Sequence, residues 1–334
     1  MNPKERYLGM LAGRAVDVVP RVPILMQFAA EWIGSNYGAF ASDYRVLVEA
    51  NRRCAGEFGF DQLSAISDPY RETSAFGAEI QFVPDGVPRC VRRPLGDSKD
   101  LGRLSRPDVE TSPRLRDRIE GVAGLARSGR EYSALGWVEG AAAEAATLRG
   151  MEQFMMDLVD DEPFAEALMD RCLETAIAFA AAQVQAGADT IGIGDALASQ
   201  VSPDVYERLI LPRQQALVGG IRRAGGLVRI HICGNITHLL PGLASLAADV
   251  VDVDHMVDLP GVRKALGTRT ALVANIDPAS CVRFGSPAAI RQSLRRAYQE
   301  AGNPFLSGAG CEIPAGTPVA NLWAVCEPMG YEGG

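Results

Sequence analysis

From about residue 130 onward, short apolar runs alternate with longer helix-patterned segments, and this rhythm limits the fold more than any other feature. Strand-like runs fall at 133–138, 190–194, 227–233, 250–254, 270–276 and 304–307. Helical patterns separate them at 162–185, 205–223, 236–247 and 288–301, with a shorter one at 259–266. Parallel strands need a crossover connection, and a helix is the usual one, so repeated β-α units predict a parallel sheet. Six such units, with one or two further strands near Ile24 and Leu63, approach eight. The expected fold is an α/β protein, a (β/α)8 TIM barrel, with a doubly wound sheet as the alternative.

The N-terminal part follows another pattern. Segment 3–11 predicts an opening helix ended by Gly13, and the prolines within 18–23 predict an extended entry into a first strand. Segment 42–58 carries apolar residues at helical spacing. Segments 78–83 and 88–94 flank Asp85-Gly86, which predicts a hairpin. No linker-like or repeated stretch divides the 334 residues. One domain over 1–334 is expected, a barrel with an N-terminal helical extension and a hairpin excursion.

Composition removes several classes of function. The formal charge of −8 argues against nucleic acid as a partner and against docking on anionic lipid. No apolar run reaches the ~20 residues of a membrane-crossing helix, and no apolar stretch of a secretory signal follows Lys4, Glu5 and Arg6. The seven cysteines are scattered and form no C-x-x-C pair, so a disulfide framework is not expected and a cytoplasmic protein is.

Polar and metal-ligating residues collect where the predicted strands end, which in a barrel is one rim. Asp195 closes one strand, His231-x-Cys233 the next, Asp254 the third, and Cys311-Glu312 follows the last. Residues i and i+2 of a strand face the same way, so His231 and Cys233 are placed to share an ion. A buried cysteine beside a hydrogen-bonded histidine is the bland reading of the pair, and Cys311 on the same rim shifts the balance toward a mononuclear zinc site. Asp254 is the expected fourth ligand, with Asp252 a weaker option. Cys54 and Cys172 read as core residues, His238 as a capping or surface residue, and His255 as either a supporting or a structural group. Gly192-x-Gly194 lacks the third glycine of a dinucleotide fingerprint, because Leu197 stands there.

The residues also resemble a family. Arg6-Tyr7-Leu8 through Gly13-Arg14, Val19-Pro20-Arg21-Val22-Pro23, Gly59-Phe60-Asp61 and Ser67-Asp68-Pro69-Tyr70-Arg71 look like the first part of uroporphyrinogen decarboxylase-like proteins. The likeness resumes at 192–196, 231–235, 275–278 and Gly310-Cys311-Glu312-Ile313-Pro314, most specifically with the methylcobamide:coenzyme M methyltransferase branch. This branch uses an H-x-C-x(n)-C zinc site, which His231, Cys233 and Cys311 match residue by residue. Its acidic ligand, more often Glu, maps to Asp254.

The resemblance implies a zinc-dependent methyltransferase working between methylcobalamin and a thiol such as coenzyme M. The corrinoid would come from a corrinoid protein or as free cobalamin. Asp68, Tyr70, Asp195 and Glu312 are then candidate polar positioning groups at the barrel mouth. True decarboxylases carry an arginine-rich M-R-Q-A-G-R segment, whereas this chain has Met26-Gln27-Phe28-Ala29-Ala30-Glu31 with no arginine. A decarboxylase-like lyase and a non-catalytic corrinoid-binding protein are the alternative readings.

Overall fold

A computed structural model of the chain describes residues 1–333. Its strands are β1 (Gln62–Ser64), β2 (Glu79–Gln81), β3 (Arg89–Arg92), β4 (Ser133–Glu139), β5 (Thr190–Gly194), β6 (Leu227–His231), β7 (Val250–Asp252), β8 (Ala271–Val273) and β9 (Phe305–Leu306). Seven of them form one parallel sheet in the order β1-β4-β5-β6-β7-β8-β9, while β2 and β3 make the separate antiparallel hairpin. Strands β4, β5 and β6 are buried almost throughout, as a sheet covered on both faces requires.

The eighth position is filled by the segment around Arg21. Ser307 N–H donates to the Pro20 carbonyl at 2.7 Å, Val22 N–H to the Ser307 carbonyl at 2.8 Å, and Asp61 N–H to the Arg21 carbonyl at 2.7 Å. The segment thus bridges β9 and β1 and completes a (β/α)8-type ring. Pro20 and Pro23 lack N–H groups, so it pairs through isolated bonds instead of a continuous ladder.

Asp61 clamps this closure. Its fully buried carboxylate pairs with Arg6 of the opening helix and accepts from Arg21 N–H at 2.7 Å and Arg21 Nε at 3.1 Å. The clamp sits at the N-terminal end of the strands, opposite the rim where ligands bind, so its part is structural.

The helices Pro3–Leu11, Glu162–Gln185 and Leu259–Leu266 run as expected, and Pro287–Ala301 within a residue. Helix 205–223 is instead interrupted. It passes from Pro203–Val205 through a wide turn at Tyr206–Ile210 into Leu211–Ala224. Pro212 lacks the N–H of a regular turn, and widening the preceding turn accommodates that loss. Helix 236–247 likewise becomes a tight turn at Thr237–Leu239 and a short helix at Leu240–Leu246. Helix 42–58 divides at Asp43, which caps Tyr44–Phe58.

The helix Ala141–Arg149 carries no apolar stripe to betray it, because alanines occupy both its buried and its half-buried positions. Strands end earlier than their apolar runs: β6 stops at His231, two residues short. No helix among the described residues is long and apolar enough to cross a membrane.

Asp61→Ala leaves two guanidinium groups facing a buried void, and removing one partner of a buried pair costs about 3–5 kcal/mol. Chemical denaturation should show a loss of that size; a loss below about 1 kcal/mol would remove Asp61 as the clamp.

Candidate active site

The centre is built outward from the barrel interior. Arg229 and His231 alternate with apolar residues along β6 and so face the same side, into the barrel. Arg229 grips Asp252 of β7 through Nε–Oδ2 at 2.9 Å and Nη2–Oδ1 at 2.8 Å, and its Nη1 reaches Gln62 Oε1 at 3.0 Å. Asp252 Oδ2 also lies 2.9 Å from His231 Nδ1. This fixes the ring and turns Nε2 toward the rim. Burial opposes charge on His231, but Asp252 and the Cys311 sulfur together outweigh it and push the imidazole up to about 10.

Two sulfurs meet that nitrogen. Cys233 Sγ lies 3.2 Å and Cys311 Sγ 3.7 Å from His231 Nε2, and the sulfurs are 3.7 Å apart. Cys233 is beyond the end of β6, so its convergence with His231 comes from the loop and not from strand parity. The hydrogen bond from Cys233 holds the Cys311 thiol down, to about 4; burial opposes this and His231 adds to it. Cys233 is pushed up by the same contact and by burial. The two sulfurs therefore share one thiolate beside the His231 ring.

Zinc takes nitrogen at about 2.0 Å and sulfur at about 2.3 Å in a tetrahedral shell, so its ligand atoms sit about 3.5–4 Å apart. The donor set here fits that spacing, with the three atoms all within 4.8 Å of one another. Asp254 stands apart from the three. Its Oδ2 accepts from Gly234 N–H at 2.9 Å, and its Oδ1 accepts from Met256 N–H at 3.1 Å and lies 2.9 Å from His255 Nδ1. Asp252, the weaker ligand option, is instead the partner of His231.

An apolar cavity of about 300 Å³ opens above His231 and Cys233, and Asp68, Glu139 and Asp195 reach its wall. Asp68 accepts from Ser67 Oγ at 2.9 Å and Tyr70 N–H at 3.0 Å and pairs with Arg114. Asp195 accepts from Gln214 Nε2 at 2.9 Å and Ala143 N–H at 3.0 Å; burial still pushes it up to about 6. It fits only because position 140 is glycine, where a Cβ would fall 2.4 Å from the Asp195 Cγ.

The other two candidates lie off this wall. The Tyr70 phenol sits beside Cys90 and Arg93 of the hairpin region. Glu312, pushed by burial to about 7, accepts weakly from Gln27 N–H at 3.4 Å.

Residues missed in the sequence complete the wall. Trp137 meets the His231 ring edge to face, with centroids 5.6 Å apart. Burial raises Glu139 to about 7, with Arg71 pulling it down from 2.8 Å and Glu72 pushing it up. Both lie near the end of β4, two residues apart, and the strand-end reasoning applied to β5–β7 would have found them. Trp137 in turn rests on Gly192, where a Cβ would come within 2.2 Å of the indole.

The family described as "Uroporphyrinogen decarboxylase (URO-D)" matches residues 2–329. The chain belongs to the uroporphyrinogen decarboxylase family. Among its relatives there, the methylcobamide:CoM methyltransferase MtbA of Methanosarcina mazei is 28% identical over 336 residues, covering 98% of this chain and 97% of the relative. The uroporphyrinogen decarboxylase of Xanthomonas axonopodis pv. citri is 27% identical over 319 residues, covering 88% and 86%. A solved methyltransferase from Methanosarcina mazei superposes with a TM-score of 0.84 at 23% identity, covering 97% of each chain. That likeness establishes the barrel of the family.

Alkylation of the metal-free protein by iodoacetamide at pH 6 should label the Cys233–Cys311 pair ahead of the other five cysteines, of which Cys54, Cys172 and Cys326 are buried. Peptide mass spectrometry reads the order, and faster labelling of Cys90 or Cys281 would remove the shared thiolate.

Proposed function

We propose that this chain is an enzyme that moves a methyl group between a corrinoid and a small thiol, with zinc held by His231, Cys233 and Cys311. The observation that carries the reading is the convergence of one imidazole and two sulfurs at the floor of an apolar cavity on the barrel rim. The likeness to a methylcobamide:CoM methyltransferase over nearly the whole chain supports the choice of reaction. When bound, zinc would hold the acceptor sulfur as a thiolate at neutral pH.

The chemistry is a transfer of one carbon. A sulfur–carbon bond forms as the cobalt–carbon bond breaks, its electron pair stays at cobalt, and the thiol proton leaves to solvent or a base. The protein's share is to fix the ligands and keep the mouth dry. Asp252 orients His231, the Trp137 ring packs against it, and the apolar wall excludes water.

Asp68 and Asp195 are assigned as positioning groups at the mouth, Glu312 next to Cys311 holds the Gln27 amide, Tyr70 acts on Asp68 through its amide, and Asp254 holds the loop that carries Cys233. The corrinoid arrives on a separate protein or as free cobalamin, and the compartment is the cytoplasm. Decarboxylation of a polyacid is less well served, because Arg71 and Arg114 are each paired with carboxylates of the protein.

Metal content by mass spectrometry should give about one zinc per chain in the wild type and almost none in His231→Ala/Cys233→Ala. Methylcobalamin mixed with a small thiol should lose its methyl–cobalt absorbance with wild type and not with Cys311→Ala. A protein that takes up no zinc on reconstitution, or a Cys311→Ala variant with full turnover, overturns the proposal.

A further inference from the structure

The wall of the cavity constrains what kind of thiol can enter, an inference that rests on the methyl-transfer reading for its choice of ligand. Its apolar surface comes from Met26, Ile66, Val87, Trp137, Met151 and Leu197. Its ionisable side chains, apart from the two at the metal centre, are the carboxyl groups of Asp68, Glu139 and Asp195 and the Tyr37 phenol, which donates to the Ser67 carbonyl; none is a cation.

The guanidiniums nearest to it are engaged. Arg71 donates to Glu139 Oε1 at 2.8 Å and to the Asp68 carbonyl, and its Nε lies 3.5 Å from Glu72 Oε2. Arg114 pairs with Asp68 and donates to the Ala41 carbonyl. Arg93, on the outer surface, donates to the Thr147 carbonyl at 3.1 Å. No lysine or arginine lines the cavity among the described residues.

An anionic tail in this space would lose its water, meet no unpaired cation and face the Glu139 carboxyl group. Burying a charge without a partner is strongly unfavourable. An uncharged tail packs on the apolar side chains and suffers neither penalty. We propose that the cavity is a binding site for a small thiol with an uncharged tail, and that it selects against thiols bearing a sulfonate or carboxylate. Glu139 is the specificity-determining residue in this account, acting by keeping Arg71 occupied at 2.8 Å.

The test uses three thiols of similar size: 2-mercaptoethanol, 2-mercaptoethanesulfonate and cysteamine. Binding to the zinc-loaded protein is measured by calorimetry at matched thiolate fraction, and turnover with methylcobalamin is measured separately. The neutral thiol should bind at least about tenfold more tightly than the sulfonate, the factor that about 1.4 kcal/mol represents. Glu139→Gln should shift the ratio of the two affinities toward the sulfonate by about tenfold or more.

Val87→Lys, an exposed substitution at the mouth that spares the core, should shift the ratio the same way and serves if the Glu139 variant fails to fold. Equal or tighter binding of the sulfonate, preference for cysteamine, or no binding of any thiol overturns the inference. Binding that discriminates as expected, with no methyl transfer to any thiol, supports the selectivity while removing the methyl-transfer reading.

Discussion

The rim chemistry depends on one buried ion pair, Arg229 with Asp252. Neither side chain is more than 1% exposed, and the guanidinium engages both carboxylate oxygens. Such a pair in a barrel interior is not an efficient source of stability, because desolvating both charges offsets most of their attraction. Its effect is directional. With Arg229 on one side, Asp252 can reach His231 only through Oδ2, and that contact at 2.9 Å sets which ring nitrogen faces the rim. Gln62 takes up a further Arg229 N–H at 3.0 Å, so β1, β6 and β7 are tied together beneath the site.

The charges beside the cavity obey a different balance. Arg71 lies among Glu72, Glu139 and the Asp68 carbonyl, while Glu144 is held at one oxygen by Thr73 at 3.0 Å. Three atoms of this cluster, Arg71 Nε, Glu72 Oε2 and Glu144 Oε1, are buried without a hydrogen-bond partner. More carboxyl groups than cations share a desolvated region, so some of them must hold protons. Burial accordingly pushes Glu139 to about 7 and raises Glu144 well above its ordinary value, with Glu72 adding to both. As pH rises through about 7, Glu139 must ionise at the expense of the folded state. The stabilisation of its neutral form is complete below the ordinary glutamate range and fades above it.

Periodicity made the repeated β-α units legible, because parallel strands buried on both faces read as continuous apolar runs. The same property hid the strand ends: Ile232 and Val253 are buried although they lie beyond β6 and β7. His231, Cys233 and Cys311 could be grouped from their places at the ends of those runs. Asp252 could not be told from Asp254 in that way, since both have the same parity and only the third dimension shows which one Arg229 occupies. Trp137 and Glu139 were equally legible by position, but an aromatic near the end of a strand carries no chemical flag. The Asp61 clamp was hidden for another reason: its partners Arg6 and Arg21 are local in space and 55 and 40 residues away in sequence.

The two cysteines sit on loops, which are ordinarily the mobile parts of a barrel, and yet their sulfurs must hold position to within a few tenths of an ångström if they are to ligate a metal. Backbone packing provides the restraint. Gly234, directly after Cys233, has φ of +92°, a conformation that side-chain-bearing residues rarely adopt, and its N–H is held by Asp254 at 2.9 Å. Gly310, directly before Cys311, passes so close to β7's continuation that a Cβ there would lie 2.2 Å from the Val253 carbonyl oxygen. Both cysteine loops are therefore braced against the same short segment, Val253-Asp254, which follows Asp252. A single stretch of three residues orients the histidine, anchors one sulfur's loop by a side chain and the other's by backbone contact. The geometry of the imidazole and the two sulfurs is thereby tied to one edge of the barrel, apart from the wall that carries Trp137 and Glu139.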